Sequence, residues 1–282
     1  MKLLRFYHND EIHTGVLTDR GVADLTALGF PGTVNDVIAG GRDARDAIET
    51  LLAGDYTPLP YETLRFANVV DDPSKIVCVG LNYNSHALET GGTAPKEPVL
   101  FSKFSDTLTP AGEPVALPPW QRCYDYEAEL VLVMGKPCYH VTAAEAMDYV
   151  FGYTVGNDLS ARDCQFLSNQ WLSGKSFPGF SPAGPVIVTA DSFDPDAPHA
   201  IRCIWNGNLV QNGTTDDMIF NCARIVESAS RFFALKPGDL IYTGTPAGVI
   251  LGKAKGTRVW MKPGDHVRVE IEGICALDTP LV

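Results

Sequence analysis

Glu127 and Glu129 stand two apart in the run Tyr124-Asp125-Tyr126-Glu127-Ala128-Glu129-Leu130, and Asp125 extends the acidic row. Residues two apart share one face of a strand, so three carboxylates crowd together and repel. A divalent cation bound through hard oxygen ligands would remove that repulsion. A solvated edge strand is the competing reading, because charged side chains mostly sit in water. The continuation Val131-Leu132-Val133-Met134 is apolar on both faces, which predicts a central strand and favours the metal. Asp158 closes a second strand-like run, "VFGYTVGNDLSARD". It is either a third ligand or the N-cap of a following helix, and residue order alone does not bring it to the pair.

Three further stretches could carry chemistry. His86 and Glu89 in "GLNYNSHALET" are three apart, close enough to meet on one helical face. A glutamate orienting a histidine makes a better general base, whereas a surface pair at this spacing does nothing chemical. Lys175 in "GKSFPGFSPAGP" is a cation among glycines and prolines, either a functional group or a solvated loop lysine. Thr245 in "YTGTPAGV" offers a hydroxyl beside backbone N–H groups in a glycine-rich turn, or simply forms the turn.

The elements that must position these residues divide at "DDPSK" (71–75). Residues 1–70 read as a small α+β unit: short strands in "KLLRFYH", "HTGVLTD" and "RGVADLT", then a helix opened by Thr33 or Asn35. Residues 71–282 read as short β-rich runs between Gly, Pro and Asp turns. Two helices interrupt them, predicted over 142–150 and 218–235, the second behind a Thr-Thr-Asp-Asp cap. The fold class expected is mainly β with some α (α+β), its sheet closed or sandwiched rather than doubly wound.

Composition excludes several roles. Of 282 residues 45% are hydrophobic, and the formal net charge is -12, which argues against nucleic acid or an anionic membrane as partner. An anionic substrate would then need a local cation. No apolar run approaches the ~18 residues of a membrane span, and the start of the chain lacks a signal-peptide core. Seven scattered cysteines show no zinc spacing. Reduced thiols in a cytoplasmic setting are expected, and a cytosol-like organelle fits equally well.

In order along the chain, "GLNYNSHALE", "EPVLFSKF", "DYEAELVLVMGK", "GYTVGNDLSARDCQ", "GKSFPGFSPAGP", "NGNLVQNGTTDDMIF", "PGDLIYTGTPAGV" and "PGDHVRVEIEGIC" resemble the fumarylacetoacetate hydrolase family. The likeness is to its short prokaryote-type, acylpyruvase-like members, and residues 1–70 look like their variable N-terminal extension. The resemblance implies a mixed β-roll or sandwich around Mg2+ or Mn2+, in a homodimer. It makes Glu127, Glu129 and Asp158 the metal carboxylates and leaves Asp125 outside them. It makes His86 and Glu89 a water-activating pair on a mobile lid, and sets Lys175, Gln165 and Thr245 against the substrate's oxygens. Arg162 matches a residue near the substrate carboxylate, or pairs with Asp163 or another acid.

Two departures matter. Val79 stands where the large fumarylacetoacetases place another aspartate ligand, which points away from fumarylacetoacetase activity itself. "FLSNQW", after Gln165, lacks the basic residues that hold a second substrate carboxylate in some relatives. The expected activity is metal-dependent hydrolysis of a C–C bond in a 2,4-dioxo acid, giving pyruvate and a carboxylic acid. Oxaloacetate decarboxylation and keto–enol or double-bond isomerisation of a 2-oxo acid use the same parts, and fold does not choose between them. A non-catalytic protein with a structural Ca2+ site is the reading from another class.

Overall fold

The computed structural model describes residues 1–91 and 93–282. Its organising element is the strand Ala128–Met134, buried along its whole length. Leu130, Leu132 and Met134 enter one core, while Val131 and Val133 enter another on the opposite face. This is the period-2 alternation of a strand covered on both sides.

Around it runs a ten-stranded sheet. Its order is Gly21–Asp24, Glu11–Thr18, Lys2–His8, Val186–Thr189, Val150–Asn157, Ala128–Met134, Leu240–Tyr242, Ile76–Gly80 and Val99–Lys103, with Arg65–Phe66 pairing to Lys2–His8. Neighbours are antiparallel except Leu240–Tyr242 beside Ile76–Gly80. Four antiparallel strands form a second sheet, ordered Asn208–Thr214, Ala200–Trp205, His266–Ile271, Cys275–Pro280. Ile201, Cys203, Val267, Val269 and Leu277 of that sheet share a core with Leu130 and Leu132. The helix Val34–Leu52 covers the other face through Val34, Val37, Ile38 and Ile48. The mainly β fold with some α (α+β), its sheets packed as a sandwich, is the one expected from the sequence.

Thr33, not Asn35, caps that helix, in a reciprocal capping box with Asp36. The other two helices are shorter than predicted. Thr142 and Glu145 cap a single turn, Ala143–Ala146, followed by a 3-10 turn, and Val150 already belongs to the sheet. The helix predicted over 218–235 spans Cys222–Phe232 and is capped by Asn221, not by the Thr-Thr-Asp-Asp run. Residues 219 and 220 are held out of it by Asn82. Its backbone carbonyl accepts from the Ile219 N–H, and its side chain exchanges hydrogen bonds with Phe220. Among the described residues, no helix is long and apolar enough to cross a membrane.

Candidate active site

Strand pairing answers what residue order could not. Val150–Asn157 runs antiparallel to Ala128–Met134, with Gly156 opposite Glu129 and Asn157 opposite Ala128. The next residue, Asp158, therefore arrives beside Glu127, whose carbonyl accepts its N–H at 2.9 Å. Glu127, Glu129 and Asp158 are all buried, and one oxygen of each lies within 4.8 Å of the others. Asp158 is not a helix cap: the turn Arg162–Gln165 begins after Ala161, without a side-chain cap.

The acidic row is not one continuous strand. Pairing breaks after Tyr124–Asp125 and resumes at Ala128. Asp125 is not one of the three converging carboxylates; it accepts from Arg162 Nε and from the N–H groups of Ile250 and Leu251 at 2.8–2.9 Å. Arg162 also donates to Glu127 at 2.7 Å and to Gln165 at 2.8 Å. Its acid partners are thus Asp125 and Glu127, whereas Asp163 accepts from the Arg122 N–H.

Lys175 is 1% exposed, not a solvated loop lysine. Its ammonium donates to Glu127 at 2.6 Å and to Asp158 at 2.7 Å. Lys103, part of the run "EPVLFSKF" but not singled out there, donates to the other Asp158 oxygen at 2.5 Å and to the Phe180 carbonyl. These cations divide the carboxylates sharply. Burial pushes the Glu127 carboxyl up, but Lys175 and Arg162 outweigh it and bring the group down to about 2. Burial likewise opposes the Lys175 charge, and Asp158 and Glu127 more than restore it. Among the described residues Glu129 forms no ion pair. Burial first, then the Asp158 and Glu127 charges, raise it well above the carboxylate range. Its one hydrogen bond among the described residues comes from the Gly244 N–H at 2.7 Å.

This donor set fits a hard divalent cation. Four buried carboxylates, Asp125, Glu127, Glu129 and Asp158, face three cations, Lys103, Arg162 and Lys175. The unmatched charge falls on Glu129, which is what an all-oxygen site for Mg2+ or Mn2+ neutralises.

The cluster opens into a cavity of about 410 Å3, lined also by His86, Glu89, Gln165 and Thr245. His86 Nδ1 lies 2.9 Å from Glu89, whose carboxylate accepts the Gly248 N–H at 3.0 Å. The dyad sits on the short helix Asn84–Glu89, docked where Asp217 accepts the Ser85 N–H at 3.0 Å. Gly252 passes so close to Glu89 that a β-carbon there would lie 2.5 Å from its carboxyl carbon. Thr245 accepts from Gln211 at 2.8 Å, and the same glutamine accepts the Ala128 N–H. All nine residues singled out from the sequence therefore line this cavity or the carboxylate cluster beneath it. The sequence reading missed Lys103 and a further cavity residue, Arg258.

Comparison with known proteins follows the same lines. The family described as fumarylacetoacetate (FAA) hydrolase C-terminal matches residues 75–282. The mitochondrial oxaloacetate tautomerase FAHD2A of Homo sapiens is 39% identical over 280 residues, covering 96% of this chain and 88% of that protein. A crystal structure of 2-hydroxyhepta-2,4-diene-1,7-dioate isomerase from Mycobacterium marinum superposes with a TM-score of 0.77 at 33% identity, over 100% of this chain and 98% of that one. Maleylpyruvate hydrolase from Sphingobium sp. SYK-6, solved with manganese (II) ion and pyruvate, gives 0.83 at 29% identity, over 100% and 99%. Matched along its whole length by relatives of this kind, the chain belongs to the fumarylacetoacetate hydrolase family of enzymes.

Proposed function

We propose that the protein is a divalent-metal-dependent enzyme that moves a proton at C3 of a 2-oxo acid, interconverting its keto and enol forms. The observation that carries this reading is the His86–Glu89 pair, held at 2.9 Å in the wall of the cavity that also exposes Glu127 and Glu129. Glu89 occupies Nδ1 and so fixes the ring with Nε2 free to accept a proton. His86 takes the C3 proton, the C–H electron pair becomes the C2–C3 double bond, and charge moves onto the 2-oxo oxygen. Return of the proton from His86 to that oxygen completes the enol. Glu89 stabilises the imidazolium between the two transfers. Lys175 has three N–H donors, two of them spent on Glu127 and Asp158, so one is available to the oxygen that gains charge. Mg2+ or Mn2+ held by Glu127, Glu129 and Asp158 would add Lewis acidity. The oxaloacetate tautomerase relative, at 39% identity, supports this choice over the other reactions of the family.

A second reading keeps the same dyad. His86 would deprotonate a water that attacks the distal carbonyl of a 2,4-dioxo acid, giving pyruvate and a carboxylic acid. The pyruvate in the maleylpyruvate hydrolase structure favours it. Both are tested by following C3–H exchange of oxaloacetate, pyruvate release from oxaloacetate and cleavage of acetylpyruvate, with Mg2+ or Mn2+. Loss of a positioned acid–base group slows proton transfer by about 10^2–10^4-fold. His86→Ala should cost oxaloacetate exchange that much. Acetylpyruvate cleavage far faster than exchange, and lost in His86→Ala, would establish the hydrolase instead. Pyruvate release from oxaloacetate that survives His86→Ala, without catalysed exchange, would overturn both in favour of a decarboxylase.

A further inference from the structure

Four basic side chains line the cavity: His86, Arg162, Lys175 and Arg258. The first three are engaged with Glu89, with Asp125 and Glu127, and with Glu127 and Asp158 respectively. Arg258 differs. Its Nε donates to the Lys253 carbonyl at 2.8 Å, and among the described residues its two terminal nitrogens have neither a carboxylate partner nor a hydrogen bond. The side chain lines the cavity and is half-buried, so its planar fork is partly shielded from water.

The segment that carries Arg258 is held at both ends. Asp125 accepts the Ile250 and Leu251 N–H groups at 2.8 and 2.9 Å. The Met261 N–H bonds the Tyr124 carbonyl at 3.2 Å, and between these points the Thr257 N–H bonds Ala254 at 3.1 Å. An arginine with a free fork, on an anchored loop at a cavity wall, is suited to bidentate capture of a carboxylate.

We infer that Arg258 is a specificity-determining residue that binds a second carboxylate, making the preferred substrate a 2-oxo dicarboxylate. This rests on the 2-oxo acid reading above, and it supplies from another segment the cation that "FLSNQW" lacks.

The test measures binding of oxaloacetate and of pyruvate to the Mg2+-loaded protein by calorimetry, for wild type, Arg258→Ala and Arg258→Lys, alongside C3–H exchange. Thermal melting checks that each variant folds. A charge-assisted pair removed by truncation lowers affinity about ten- to a hundredfold. The preference for oxaloacetate over pyruvate should fall by that factor in Arg258→Ala, and Arg258→Lys should restore part of it without the bidentate geometry. An unchanged preference in Arg258→Ala, with exchange intact in wild type, overturns the role of Arg258 and spares the proposed reaction. A preference that depends on Arg258 in a wild type without exchange activity supports the dicarboxylate site and overturns the reaction. No preference for oxaloacetate in wild type overturns the inference outright.

Discussion

Asp158 is gripped at both oxygens, by Lys103 and by Lys175, and all three side chains are buried. Removing one partner of a buried ion pair typically costs about 3–5 kcal/mol, because the remaining charge is left without compensation. Lys103→Met should therefore destabilise the metal-free protein by about that amount in denaturant unfolding, and Mg2+ should recover part of the loss. The exposed Lys255 is the control, and an equal effect of Lys255→Met would show that the pair contributes nothing particular. This is also the scale at which the sequence was least complete. The Glu127–Glu129 spacing is visible to anyone counting by two, and His86–Glu89 by counting three. Lys103 sits in an ordinary β-rich run, and its acid lies 55 positions downstream. Arg162 and Asp125 are 37 apart. Such partners are set by which strands lie side by side, and no local pattern encodes that.

The short helix Asn84–Glu89 and the turn at Ile250–Gly252 act as two halves of one element. Glu89 reaches across to accept the Gly248 N–H while holding His86, and Gly252 leaves the room for it. Gly252→Ala should push the Glu89 carboxylate off one of these partners. The expected result is a fall in kcat of about tenfold or more, since His86 loses its orienting group. KM and the melting temperature should change little. A variant with native kcat would show that the carboxylate has another comfortable position. Element boundaries were legible where capping chemistry marks them, as at Thr33. They failed at 218–235, where Met218, Ile219 and Phe220 look helical by composition. There the buried side chain of Asn82, tied to Phe220 and Thr243, outweighs local propensity.

At the scale of the whole molecule, the first seventy residues are not appended to the rest. Lys2–His8 pairs with Val186–Thr189. Leu3, Val16, Leu25, Val34, Val37, Ile38 and Ile48 share a core with Ile76, Val131, Val133, Ile187 and Leu240. Each such side chain contributes about 1.5–3 kcal/mol by leaving water. Together they rival the ~5–15 kcal/mol that separates a folded domain from its unfolded chain. Residues 71–282 produced alone should be insoluble, or should melt far below the full chain. A soluble fragment melting cooperatively within about 5 °C of the full protein would refute this. The change of texture at 71–75 is plain in the sequence, but contact across it is written in apolar residues with no stated partner.

The position of Leu240–Tyr242, wedged between Ala128–Met134 and Ile76–Gly80, also governs how the protein is made. Chains leave the ribosome N-terminus first at ~5–20 residues per second, so Ile76–Gly80 waits roughly 10–30 s for its inner neighbour to be synthesised. Until then Ile76–Gly80, and Ala128–Met134 once it is made, present open edges, the surfaces most prone to pair with other chains. Glu127, Glu129 and Asp158 also emerge before Lys175 and before Gly244, whose N–H holds Glu129. A nascent chain halted between Asp158 and Leu240 thus carries both an incomplete sheet and an unfinished cluster of acids. Late nonsense mutations in this gene should accordingly yield material for chaperones and proteases, not a shortened enzyme.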